Sequence, residues 1–116
     1  MPQAIHDFHA HIYYDAATRP DAEAVRAELA AQFPQVLLGR WHDAPIGPHT
    51  RGMFQAAFAP SLFAAVVPWL MLHRRGLAVL VHPETGRETS DHTIHAAWLG
   101  EILPLRLEAL DPDPAA

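Results

Sequence analysis

What most restricts this chain is how often its apolar period changes, with a proline or glycine at most of the changes. Elements this short cannot stand alone and must pack on one another. Residues 4 to 14 alternate as a strand does, with Phe8, Ala10, Ile12 and Tyr14 on one side and Asp7, His9, His11 and Tyr13 on the other. From Thr18 to Phe33 the period is helical, with a Thr18-x-x-Asp21 capping box, Pro20 in the first turn and a stripe of Ala22, Val25, Leu29 and Phe33 ahead of Pro34. Residues 36 to 43 read as a second strand, weakened or bulged at Gly39. The loop 44 to 52 holds two prolines and two glycines, and 53 to 59 reads as a third strand. Pro60-Ser61 opens a second helix running to Leu72 or His73, in which Pro68 predicts a kink or two abutting short helices. After Gly76 come a fourth strand over 77 to 82, a turn-rich loop over 83 to 90, and a short helix from Asp91 to Leu99 capped by Gly100.

Strand, helix, strand, strand, helix, strand and an appended helix is the split βαβ pattern of an α+β, ferredoxin-like sandwich. The length predicts one domain over residues 1 to 110, with a flexible tail over 111 to 116. The sheet order expected is 4-1-3-2, with strands 1 and 3 parallel in the centre and strands 2 and 4 running against them. Helices cover one face of such a sheet. The face carrying Asp7, His9, His11 and Tyr13 is therefore expected to be open and to pair sheet to sheet in a homodimer.

Composition narrows the chemistry. The net charge is -5 and the sole basic pair, Arg74-Arg75, falls where a helix ends, so a nucleic-acid partner is not expected. Without cysteine there are no disulfides, thiolate nucleophiles or zinc-thiolate sites, and any metal must take nitrogen and oxygen ligands. No basic and apolar leader pattern opens the sequence, and Pro68 and His73-Arg74-Arg75 interrupt the longest apolar run, so neither membrane insertion nor export is expected. A cytoplasmic protein is the expectation.

Nine histidines in such a chain need a reason. His9 and His11 share a strand face with attachment points about 7 Å apart, a spacing that suits two ligands of one ion. With strand ends matched as above, His9, His11, His42, His49, His82 and His92 all fall at one end of the sheet. His6, His73 and His95 have no such placement and read as structural. "PIGPH" is either a rigid connection or a loop shaped to aim His49. Asp91 is either the N-cap of the last helix or a carboxylate holding the His92 tautomer. Trp98 reads as core.

Four stretches, "FHAHIYY", "PIGPH" followed by "MFQ", "PWLMLHRRGLAVLVHPETG" and "DHTIHAAWLGE", resemble in order and spacing the DOPA 4,5-dioxygenase family from about residue 6 to 105. The resemblance implies a ferredoxin-like subunit that opens a catechol ring with O2 using nonhaem iron(II), and by the match of motifs His9, His11, His49, His82 and His92 look like the family's histidines. One departure is Thr50-Arg51, where the family commonly has proline after "GPH"; it bears on loop shape and substrate preference.

On this reading His9, His11 and His82, from adjacent strands, are the metal ligands, with Asp7 or Glu84 as carboxylate alternatives. His49 and His92 are the catalytic groups, exchanging protons with the catechol and the oxygenated intermediate. Arg40 or Arg51 are candidates to receive a substrate carboxylate. Zinc or nickel could replace iron in a purified sample. The alternative is a histidine-rich domain that holds a metal or small ligand without turnover.

Overall fold

Alternation makes the first strand. β1 (Phe8–Tyr14) turns Ala10, Ile12 and Tyr14 into the main core, where each is buried, and His9, His11 and Tyr13 to the opposite face. The computed structural model describes residues 4–115. Helix α1 (Arg19–Gln32) lays Ala22, Val25 and Leu29 on the core. The expected capping box does not form. Thr18 instead exchanges hydrogen bonds with Asp15, its backbone N–H reaching Asp15 Oδ1 at 2.9 Å while its hydroxyl accepts from the Asp15 N–H at 2.9 Å.

The second strand shrinks to β2 (Leu37–Leu38), with His42 making a separate bridge to Met53. β3 (Gly52–Phe58) is followed by a 3-10 turn (Pro60–Leu62) and α2 (Phe63–His73), which buries Val66, Val67 and Leu70. The abutting helical pieces thus meet at Leu62–Phe63, and α2 continues through Pro68. β4 (Val79–Pro83) is buried throughout.

Two corrections concern the C-terminal part. The helix expected from Asp91 to Leu99 is a shorter α3 (Glu88–His92) followed by a strand, β5 (Ala97–Leu99), antiparallel to β4. Pairing supplies the open edge of β4 with partners, and it buries Leu99 in the main core while Trp98 stacks on Tyr13 at 5.8 Å. Residues 111 to 113, expected to trail free, are tied to α3: Asp113 accepts from the Ser90 N–H and hydroxyl, and the Asp111 carbonyl accepts from Thr89.

The sheet is five-stranded, in the order β2-β3-β1-β4-β5, and every pairing is antiparallel. β1 and β3 therefore run against each other, contrary to the parallel centre expected from sequence. Helices α1 and α2 cover one face. The other face, expected to be open, is roofed by its own chain: Tyr13, Met53, Ala78 and Leu80 pack against Leu103, with Trp98 and Leu105 alongside. That roof removes the premise on which a sheet-to-sheet homodimer was expected. No helix among the described residues is long and apolar enough to cross a membrane.

Candidate metal centre

Register does the first part of the assembly. β1 and β4 pair with His9 directly opposite His82, and His11 lies two residues further on the same face of β1. His11 Nε2 and His82 Nε2 stand 3.0 Å apart, and His9 adds a third nitrogen, with all three ligand atoms within 4.8 Å of one another. Two nitrogens held at a right angle about 2.1 Å from one ion stand about 3.0 Å apart. His82 and His11 are almost wholly buried, while the His9 side chain is 21% exposed and forms the outer member.

The direction of each ring is set by its other nitrogen. His82 Nδ1 lies 3.0 Å from the Pro83 carbonyl, which only accepts, so Nδ1 carries the proton and Nε2 keeps its lone pair. Glu84 Oε1 sits behind the imidazoles, 3.3 Å from His9 Nδ1 and 3.6 Å from His82 Nδ1. Asp7 is 3.5 Å from His9 Nε2. Both carboxylates thus flank the three-histidine group, and neither is part of it. His11 Nδ1 is buried without a hydrogen-bond partner. A set of three imidazole nitrogens fits a divalent ion of borderline softness.

His49 and His92 come from loops on either side. The His42–Met53 bridge and the close approach at Gly52 fix one end of the 44 to 52 loop; Gly47, at φ 56°, turns it. Its far end is held by a His49–Leu105 bridge, by Thr50 donating to the Pro104 carbonyl and by the Arg106 N–H donating to Pro48. The His49 ring lies 4.2 Å from that of His11, and its Nδ1 is 2.7 Å from the Tyr13 hydroxyl. His92, the last residue of α3, has its ring 4.0 Å from that of His82 and its Nδ1 2.8 Å from the Glu88 carbonyl. The loop before α3 is pinned by Asp91, which accepts from the Thr85 N–H and hydroxyl.

Five histidines therefore meet: 9, 11, 49, 82 and 92 line one cavity of about 240 Å³ with Pro48, Gln55, Glu84, Glu88 and Leu110. His42 does not join them. It bridges Met53, and because β2 runs parallel to β1 the end of β2 lies away from the His9 end of the sheet. Asp91 does not hold the His92 tautomer either; it sits inside α3 and pairs with His95 at 3.1 Å. Arg51 faces Glu101 at 3.6 Å, and neither Arg40 nor Arg51 lines the cavity. Reading by residue type passed over the Tyr13 hydroxyl, Gln55 and Glu88. Tyr13 and Gln55 were recoverable from alternation, since each shares a strand face with His11 across the β1–β3 register. Leu110 carried no such signal.

Burial governs the electrostatics. Desolvation, reinforced by neighbouring imidazoles, drives His11 well below the usual histidine range, lowers His49 to about 4 and lowers His82 to about 3. These rings are neutral at neutral pH, and those of His11 and His82 can each offer a lone pair to a cation. Burial raises Glu84, partly offset by His9, and raises the Tyr13 hydroxyl, which stays protonated. Burial opposes ionisation of Asp91, but the Thr85 donors and His95 outweigh it and hold the carboxyl below its ordinary value. A larger cavity of about 390 Å³ lies beside Phe8, Phe63 and Val81. It is mostly apolar and shares only His82 with the three-histidine group.

Residues 8–109 match the model of the DOPA 4,5-dioxygenase family. The chain is 38% identical over 111 residues to an uncharacterised 21.2 kDa protein of Botryotinia fuckeliana, covering 86% of this chain and 61% of that one. It is 33% identical over 118 residues to a DOPA 4,5-dioxygenase of Amanita muscaria, covering 95% of this chain and 52% of the relative. The chain thus spans only part of the length of these curated relatives. A crystal structure of a candidate dioxygenase from Nostoc punctiforme superposes with a TM-score of 0.89 at 57% identity, covering 90% of each chain.

Proposed function

The chain belongs to the DOPA 4,5-dioxygenase family, and from that premise we propose that it is a nonhaem iron(II) extradiol dioxygenase that opens the ring of a catechol such as L-DOPA with O2. The observation that carries this reading is the three-nitrogen group of His9, His11 and His82 at the wall of a cavity shared with two further histidines. These three residues would hold the iron. When bound, iron(II) supplies open coordination positions and the one-electron chemistry that lets ground-state dioxygen react with a closed-shell aromatic.

The remaining residues act on the catechol itself. Catechol oxygens entering beside His11 and His82 come within the reach of His49 and His92, whose free Nε2 atoms hold or move the hydroxyl protons. Pro48 and Leu110 close the cavity from the loop and from the C-terminal roof, limiting water around the opened ring. Glu84 orients His9 and His82 from behind.

The test is anaerobic reconstitution with iron(II), followed by mixing with L-DOPA and a panel of other catechols in air. Stoichiometric O2 uptake and a yellow ring-opened product are expected. Tight iron binding with no O2 uptake on any catechol would replace this reading with a metal-holding domain that does not turn over.

A further inference from the structure

We infer that the Tyr13 hydroxyl and the Glu88 carbonyl hold His49 and His92 in opposite tautomers, so that one cavity is offered an N–H donor by His49 and a lone pair by His92. The inference deepens the dioxygenase reading and rests on it for its catalytic meaning. Tyr13 is then a positioning residue acting through His49.

The His92 half follows from one contact. A backbone carbonyl can only accept, so at 2.8 Å from the Glu88 oxygen His92 Nδ1 must carry the proton. In the neutral ring that leaves the lone pair on Nε2. Nε2 makes no hydrogen bond among the described residues and is not sealed from the cavity that the residue lines.

The His49 half turns on the cost of an orphaned donor. Tyr13 is 2% exposed and His49 is 4% exposed, so neither end of their 2.7 Å hydrogen bond has water to fall back on. If His49 Nδ1–H donated to the tyrosine oxygen, the phenolic O–H would be buried with no acceptor among the described residues. A buried donor left without a partner costs about 1–3 kcal/mol, whereas a tyrosine oxygen that only donates loses little. Tyr13 therefore donates to Nδ1, and the His49 proton sits on Nε2. Trp98, stacked on the Tyr13 ring at 5.8 Å, holds the phenol in place.

The two rings then divide the work. His92 Nε2 receives a proton from one catechol hydroxyl and returns it as the ring opens. His49 Nε2–H donates a hydrogen bond to a substrate oxygen and keeps its proton, so no proton is gained or lost over a turnover.

Tautomers are read from imidazole nitrogen shifts in a long-range proton–nitrogen spectrum of the zinc-loaded, diamagnetic protein. The expected result is Nε2–H for His49 and Nδ1–H for His92 in the unaltered chain, which needs no variant to fold. In Tyr13→Phe the His49 signals should shift toward a mixture of tautomers, while the His92 signals stay in place. With iron, the same variant should keep its metal content and KM but lose about ten- to a hundredfold in kcat, with an altered pH profile. Nδ1–H on His49 in the unaltered protein, or an unchanged His49 tautomer in Tyr13→Phe, would overturn the inference. Absence of turnover in the unaltered protein with correct tautomers would instead overturn the dioxygenase reading alone.

Discussion

His11 and His82 are 71 positions apart in the chain, yet their Nε2 atoms lie 3.0 Å from each other, in a pair that is almost wholly buried. That contact depends on the antiparallel register of β1 and β4, which sets His9 opposite His82 and leaves His11 one step along the same face. A metal-free chain holds this pair by sharing one proton between two lone pairs. A cation satisfies both lone pairs together.

Removing a ligand should separate metal binding from folding. His82→Ala is expected to cut iron or zinc affinity beyond the ~10–100-fold typical of a lost supporting group, and to abolish O2 uptake. A His9→Ala, His11→Ala double variant that still titrates one metal per chain would dismiss the ligand assignment.

Glu84 Oε1 lies within 3.6 Å of Nδ1 of both His9 and His82. Glu84→Gln should weaken metal binding by about 10–100-fold while the far-ultraviolet spectrum stays unchanged. Calorimetric titration decides between this and a direct ligand role, in which the loss would match that of His82→Ala.

Acid should destabilise the metal-free protein. His11, His49 and His82 are all held below the ordinary histidine value of 6.5. Between 6.5 and their folded values the unfolded chain binds more protons than the folded one, so stability rises with pH across that window. The contribution is complete above pH 6.5 and is lost as the pH falls toward about 4 for His49 and about 3 for His82. Thermal melting of the stripped protein should therefore drop steadily from pH 7 to pH 4.5, and a midpoint that rises over that range would contradict the neutral-imidazole description.

Gly52 is needed for close approach. A Cβ there would meet the His42 carbonyl at 2.8 Å and the Asp43 carbonyl at 3.1 Å, both backbone atoms. Gly52→Ala should force the His42–Met53 bridge open and cost about 1–3 kcal/mol in denaturant unfolding. Because that bridge anchors the loop carrying His49, kcat should fall as well while metal content is kept.

Much of the site was legible before any fold was known, and the misses share a cause. The shared face of His9 and His11, the burial of Ala22, Val25 and Leu29, and the end of β4 near His82 all follow from local period. His42 falls with the site only if β1 and β3 run parallel, and strand direction is not written in any one strand's alternation. Residues 97 to 99 carry ordinary helix-compatible side chains, and only the unpaired edge of β4 makes them a strand.

The chain's own pattern determined which residues could share a face, that any metal would have to take imidazole or carboxylate ligands, and which motifs align with the dioxygenase family. Tertiary structure decided which histidines meet, that Glu84 stands beside His9 and His82, that Tyr13 reaches His49, and that residues 103 to 110 roof the face left by the helices. The division has a physical reason. Side-chain direction is set by backbone geometry over two to four residues, whereas pairing, register and roofing are settled by burial and hydrogen bonding between segments far apart in the chain.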